Sequence, residues 1–281
     1  MSIEDAARWF SDNQQNWDDR ADTHMWGNYG GFHELLADPS AISAVLAEDI
    51  DRFGDLHGQH VIHLQCHVGT DTLGFARRGA DRVVGVDLSP NSLAYARKIA
   101  REAGVEVEFV EANVYDAATA VEGDFDLVYT SAGVLMWLPD LDRWARTVAS
   151  LLKPGGVFFI RDDHPFFLTT GEDYAEGFSI RYPYFQSSEP ITSDDLESYE
   201  QTEGAPTLTH TRSHTWNHPI SEVVTALLGA GLTITGLEEC AESAWQPWPE
   251  HMVATDTGKY RLREHPERLP LQYVVTARKP R

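Results

Sequence analysis

From residue 61 to about residue 160, short apolar runs alternate with helix-like stretches, and this alternation restricts the fold more than anything else in the chain. Residues 61–64 (VIHL) read as a first strand, and a helix begins over 71–78 with Leu73, Phe75 and Ala76 as its apolar positions. Residues 82–86 (RVVGV) read as a second strand that stops at Asp87. In SPNSLAYARKIAREA, Ser89 stands at a helix cap, Pro90 lies in the first turn, apolar residues recur at helical spacing and Gly104 ends the run. Residues 105–110 alternate apolar and acidic side chains, as a third strand would. The design then repeats with a strand at 125–129 (FDLVY), an amphipathic helix at 141–152, a break at KPGG and a fifth strand at 157–160 (VFFI). Strands separated by helices of this length predict parallel βαβ units and a sheet covered on both faces.

Outside this core the texture changes. Residues 1–55 read as helices rich in Trp and Asp, with a loop at 27–31. Residues 161–215 are aromatic, rich in Ser and Thr, and acidic, with strand-like pieces at 178–185 and 208–216. Regular alternation returns with a helix at 220–230 and strands at 232–238 and 271–277. The expected architecture is α/β: one Rossmann-like, doubly wound, mostly parallel seven-stranded sheet in a single domain. Residues 1–55 would form an N-terminal helical cap, 56–160 the cofactor-binding core, 161–215 an insertion after the fifth strand on the substrate side, and 216–281 the end of the sheet.

Composition narrows the function. The formal net charge is −22, a field that repels phosphate backbones and anionic lipid, so neither nucleic acid nor a membrane is the expected partner. No run approaches the roughly 20 apolar residues of a membrane span. The acidic, polar start MSIEDAARWFSDNQQNWDDR is unlike a signal or transit peptide, and Cys66 and Cys240 alone make no disulfide framework, so a cytoplasmic setting is expected. Oligomeric state is left open by the sequence.

The stretch VIHLQCHVGTDTL poses the sharper question. In an open parallel sheet, ligands bind beyond the carboxyl ends of the strands, and the turn at 65–70 lies there. Asp87 ends the second strand about twenty residues later, the spacing of a carboxylate that accepts ribose hydroxyls. Dinucleotides bring a pyrophosphate, which needs glycines so that bare amides can approach two negative charges. This turn keeps only Gly69 and puts Gln65 and His67 where close approach would be required. S-adenosylmethionine has no phosphate, so the missing glycines count against NAD more than against it.

The order VIHLQCHVGTDTL, VVGVDLS, FVEANVYD, FDLVYTSAGVLMWLPDL and LLKPGGVFFI resembles the class I S-adenosylmethionine-dependent methyltransferases. It is similar to a subgroup whose first motif reads HLQCH-x-G-x-DTL in place of D-x-G-x-G-x-G, and LPLQYVVTARKP resembles the family's last strand. His63 stands for the acid, and Gln65 and His67 for glycines. The resemblance implies that Gln65, Cys66, His67 and Gly69 line the methionine moiety, with Thr72 adding a hydroxyl. It implies that Asp87 takes the ribose hydroxyls, Leu88 and Ser89 flank the adenine, and Asn113 and Val114 read its amino group. Ser131 would lie between cofactor and substrate, or serve as a turn hydroxyl, and the segment around Trp17 would fold over the cofactor or pack as a plain helix.

For proton removal from an acceptor, His164 in RDDHPF is the first candidate, with Asp162 and Asp163 beside it; its other reading is a cap on the loop before Pro165. In an extended strand His210, Arg212, His214, Trp216 and His218 would share one face. Alternate strand histidines stand roughly 7 Å apart, wide for one ion, so no metal is expected, and His218 is the second catalytic or substrate-contact candidate. The expected function is S-adenosylmethionine-dependent methylation of a small-molecule substrate on O, N or C. An NAD-dependent oxidoreductase and a non-catalytic S-adenosylmethionine-binding module are the alternatives.

Overall fold

The computed structural model describes residues 3–170, 179–185, 188–198 and 202–281. Helices α1 (Ile3–Trp26), α2 (Phe32–Ala37) and α3 (Ala44–Asp49) precede the sheet. Strands β1 (His60–Leu64), β2 (Arg82–Asp87), β3 (Glu108–Glu111), β4 (Phe125–Thr130) and β5 (Leu152–Asp163) alternate with α4 (Thr70–Arg77), α5 (Pro90–Ala103), the short α6 (Ala117–Ala120) and α7 (Leu141–Leu151). Then follow α8 (Pro165–Leu168), β6 (Ile191–Asp194), β7 (Arg212–Thr215), α9 (Ile220–Gly229), β8 (Thr233–Cys240), the short β9 (Glu242–Ser243), β10 (Met252–Ala254) and β11 (Tyr260–Leu262), and β12 (Gln272–Arg278).

The seven-stranded sheet runs β3-β2-β1-β4-β5-β12-β8. Its first five strands are mutually parallel, and β12 lies antiparallel between β5 and β8. Strand order reverses between β1 and β4, which opens a crevice at their carboxyl ends. The period-two pattern sorts the core: Ile62, Leu64, Val84, Val86, Val128, Phe158 and Ile160 join α7 and α9 on one face. Val61, Val83, Leu127, Tyr129 and Phe159 meet Leu46, Ile50 and Phe75 on the other. Ser89 accepts from the Ser92 amide and Pro90 opens α5, as its sequence predicts.

Some expectations need correction. The third strand starts at Glu108 rather than at 105. The helix does end before KPGG, at Leu151, but the fifth strand starts at Leu152 rather than at 157: β5 runs through KPGG, and the register jumps from Phe125–Leu152 to Leu127–Val157, so the extra residues are absorbed as an irregularity in the sheet. Of the strand expected at 178–185, residue 178 lies outside the described residues and 179–185 form none; that at 208–216 shrinks to β7, which pairs with β6. The face shared by five alternate residues therefore does not exist. Instead His210 contacts Asp19, His214 contacts Asp12 and Thr192, Trp216 packs edge-on against Trp9, and His218 reaches the Leu138 carbonyl. Among the described residues no helix is long and apolar enough to cross a membrane.

The candidate cofactor crevice

The turn after β1 takes the shape that glycines usually provide, without the glycines. Gln65 (φ 57°), His67 (φ 49°) and Gly69 (φ 75°) all lie in the left-handed region. For the two larger residues this is a strain of about 1 kcal/mol or more each. Gly69 is irreplaceable for a second reason: a Cβ there would stand 2.9 Å from the Phe109 ring.

Asp87 ends β2 beside this turn. Its Oδ2 accepts from the His67 amide at 2.7 Å and its Oδ1 from the Ser89 amide at 2.9 Å. Each carboxylate oxygen retains a second lone pair. Burial pushes the Asp87 carboxyl up to about 6, against the lowering effect of those amides. His63 is buried and held neutral, its pKa pushed down to about 3 by burial. Its Nδ1 meets the Thr72 hydroxyl at 2.9 Å, so that hydroxyl is turned to His63 inside the core and Thr72 is fully buried. Cys66 is buried too, and burial pushes its thiol up.

On the other side of the crevice, the loop after β4 is organised by one carboxylate. Asp162 Oδ1 accepts from the amides of Gly133 (2.5 Å), Val134 (2.9 Å) and Asp163 (3.0 Å), and Oδ2 from that of Leu135 (3.1 Å). Ser131 donates to Asp71 at 2.9 Å, and Asp71 also accepts from Ser43, so the serine hydroxyl ties the loop to α4. Thr130 Oγ1 donates to the Leu64 carbonyl at 2.9 Å, fastening the ends of β4 and β1. Gln65 spans the crevice itself, with Nε2 donating to the Val134 carbonyl at 3.0 Å.

Helix α1 closes over both turns. Gln14, Asp18 and Asp22, four residues apart, form one stripe toward β2 and α5. Gln14 donates to the Leu88 carbonyl (2.9 Å), Asp18 accepts from Ser89 Oγ (2.5 Å), and Asp22 accepts from Tyr95 (2.7 Å). A second stripe faces β7 and its approach: Asn13 exchanges two bonds with the His214 backbone, and Asn16 donates to the His210 carbonyl at 2.7 Å. The Trp17 ring lies 5.1 Å from that of His67 and 5.2 Å from that of Trp137, bridging the two turns. His24 Nδ1 and His67 Nε2 are 2.8 Å apart, with Ser198 Oγ at the far end of His24 and Ser92 Oγ at the far end of His67. Such a contact holds one proton between two neutral rings. Burial pushes His24 well below the usual histidine range and His67 down to about 3.

Gln65, Cys66, His67, Gly69, Asp87, Leu88, Ser89 and Trp17 thus converge at the carboxyl ends of β1 and β2. Asn113 caps the turn after β3, accepting from the Tyr115 amide at 3.1 Å, and Val114 beside it is buried. His164 stands apart as the cap of α8: Nδ1 accepts from the Phe166 amide at 3.1 Å, and Nε2 faces Glu239 at 3.0 Å. The geometry favours the capping role. His218 is buried, with Nε2 donating to the Leu138 carbonyl at 2.7 Å and Nδ1 facing Glu222 at 3.2 Å. The Asp18 and Asp22 stripe was visible as an i, i+4 repeat. The pairing of His24 with His67 and the role of Asp162 have no local signal, because each joins residues distant in the chain.

Residues 61–156 match the family described as methyltransferase domain. A ubiquinone biosynthesis O-methyltransferase of Bordetella avium is 40% identical over 107 residues, 38% of this chain and 44% of that protein. Its counterpart in Cronobacter sakazakii is 38% identical over 138 residues, 49% of this chain and 55% of that protein. The chain spans about half the length of the curated relatives it matches. Among solved structures, an S-adenosylmethionine-dependent methyltransferase from Mesorhizobium loti aligns with TM-score 0.56 and 22% identity, covering 84% of this chain and 98% of that one. One from Clostridium acetobutylicum aligns with TM-score 0.56 and 13% identity, covering 85% and 91%. In strand order and in its antiparallel β12 the chain shares the fold of these methyltransferases, and residues 61–156 carry its match to the methyltransferase domain.

Proposed function

We propose that the chain is an enzyme that methylates a small-molecule metabolite with S-adenosylmethionine as donor. The observation that carries this reading is the pair formed by the turn at 65–69, with three residues in the left-handed region, and Asp87 alongside it. The residues fit the cofactor. Asp87 keeps lone pairs for two ribose hydroxyls, Leu88 and Ser89 border the adenine position, and Asn113 and Val114 lie beyond β3 at its far edge. The turn around Gln65 and His67 would receive the amino-acid end. Bulky Gln65 and His67 leave no room for a pyrophosphate against bare amides, which speaks against NAD.

When bound, S-adenosylmethionine supplies an electrophilic methyl group on a good leaving group. The chain's part is alignment and exclusion of water, a proximity effect rather than elaborate acid–base chemistry. Trp17, Trp137 and His67 wall the crevice, and the loop at 131–137, fixed by Asp162, presents one side of it. Residues 3–55 serve as the cap, and the described residues of 161–215 as the acceptor-side wall. The neutral His164 ring has its one lone pair engaged by the Phe166 amide, so its use as a base would require the α8 cap to open. The acidic surface supports a metabolite over a nucleic acid, and the name of the O-methyltransferase relatives supports oxygen as the acceptor atom.

Parallel calorimetric titration with S-adenosylmethionine, S-adenosylhomocysteine and NAD tests the reading. Micromolar binding of the first two and none of NAD is expected. Binding of NAD alone would overturn it, and turnover across a panel of hydroxylated acceptors separates an enzyme from a binding module.

A further inference from the structure

Gln65 stands where its backbone is strained and its side chain is left incomplete. It holds φ 57°, a conformation in which glycine would be relaxed. Its side-chain orientation is forced, because the Val134 carbonyl can only accept: the atom 3.0 Å from it must be Nε2. The amide oxygen therefore points the other way, and there it is buried with no hydrogen-bond partner among the described residues. A buried acceptor without a donor and a strained backbone are both unfavourable, and they persist together where a ligand uses them.

Topology says which end of a ligand would arrive. The sheet order β2-β1-β4 places Asp87 on one side of β1, and the Gln65–Val134 bridge spans toward β4 on the other. A nucleoside held at Asp87 by its ribose extends its substituent across the end of β1 into the crevice that Gln65 spans. An acceptor there selects a donor, and a cationic donor most strongly.

We propose that Gln65 Oε1 accepts a hydrogen bond from the α-ammonium group at the amino-acid end of the cofactor, making Gln65 the residue that selects ligands bearing that group. The proposal rests on the S-adenosylmethionine reading above. The Gln65 amide nitrogen meanwhile ties the turn after β1 to the loop after β4.

The test compares S-adenosylhomocysteine with its analogue lacking the α-amino group, titrated by calorimetry into the wild-type chain and into Gln65→Gly. The glycine variant relieves the backbone and should melt no lower than wild type without ligand, so weaker binding cannot be put down to misfolding. S-adenosylhomocysteine should bind the variant about tenfold more weakly, as for loss of one hydrogen bond to a charged group. The desamino analogue should bind both proteins alike. An equal loss for the two ligands, or no loss for either, overturns the role of Gln65 while leaving the cofactor reading in place. Failure of both ligands to bind wild type overturns the cofactor reading itself and the inference with it.

Discussion

The two turns that flank the crevice are built on opposite plans. The loop after β4 is fixed from below: Asp162, on the neighbouring strand, gathers four backbone N–H groups, and no residue of the cap is needed to shape that set of bonds. The turn after β1 is held from above, where the His67 ring is gripped by His24 and Ser92 and overlaid by Trp17. The first arrangement is as permanent as the sheet. The second keeps Asp87 and Ser92 as partners from the sheet and α5, and gains the His24 and Trp17 contacts only while α1 is in place. One side of the site is therefore preformed, and the other is completed by docking of the cap.

The largest effect should come from Asp162. Replacing it with Ala strands three or four buried amides, and a loss of roughly 3–5 kcal/mol is expected, seen as a large fall in urea midpoint. A small change would mean that the loop after β4 is held by the cap after all, and the contrast between the two turns would fail. Next is Asp87→Ala, which should weaken S-adenosylmethionine binding by about 1.5–3 kcal/mol. Because burial raises the Asp87 carboxyl to about 6, wild-type affinity should be flat above pH 6 and fall as the pH drops through it. The variant should lack that slope. Without ligand the sign reverses: a carboxyl raised above its unfolded value contributes stability that is full below the unfolded pKa and is lost as pH rises through 6.

His24→Ala sharpens the comparison directly. It should cost about 1–2 kcal/mol and speed proteolysis within α1, while hydrogen exchange of β1, β4 and β5 stays unchanged. The smallest effect is expected for His164→Ala, about 1 kcal/mol from the lost cap, with no change in the pH profile of turnover. A lost alkaline or acid limb in that profile would restore His164 as the base.

The sheet was legible because its signal is local and repeated: apolar runs of strand length, the Ser89–Pro90 cap and Gly104 each state their own conformation. The position of Asp87 was legible for the same reason, as a strand end at a known spacing. What escaped was every feature built across the chain. Nothing near His24 announces a partner 43 residues away, and the short β9, β10 and β11 have too few residues to show a period. The strand expected over 208–216 failed in a related way. Its alternation was real, but Trp216 and His218 are taken by Trp9 and Leu138 rather than by a sheet neighbour. Hydroxyls were the hardest to place: Thr72 and Ser131 look alike in sequence to ligand contacts, and their hydroxyls meet His63 and Asp71.

The position of β12 has a kinetic consequence. The strand sits between β5 and β8 and pairs Val275 with Ile160 and with Leu237, so β8 is joined to the sheet by strand pairing through it. During synthesis, β1 to β5 and their helices can assemble as soon as they emerge. The edge of β5 then stays unpaired until residues 272–278 are available, more than a hundred positions later. An open parallel edge of that kind is a site for wrong pairing with another chain. The exposure time of β5, rather than the stability of the finished sheet, should set how much of the newly made protein is lost to aggregation.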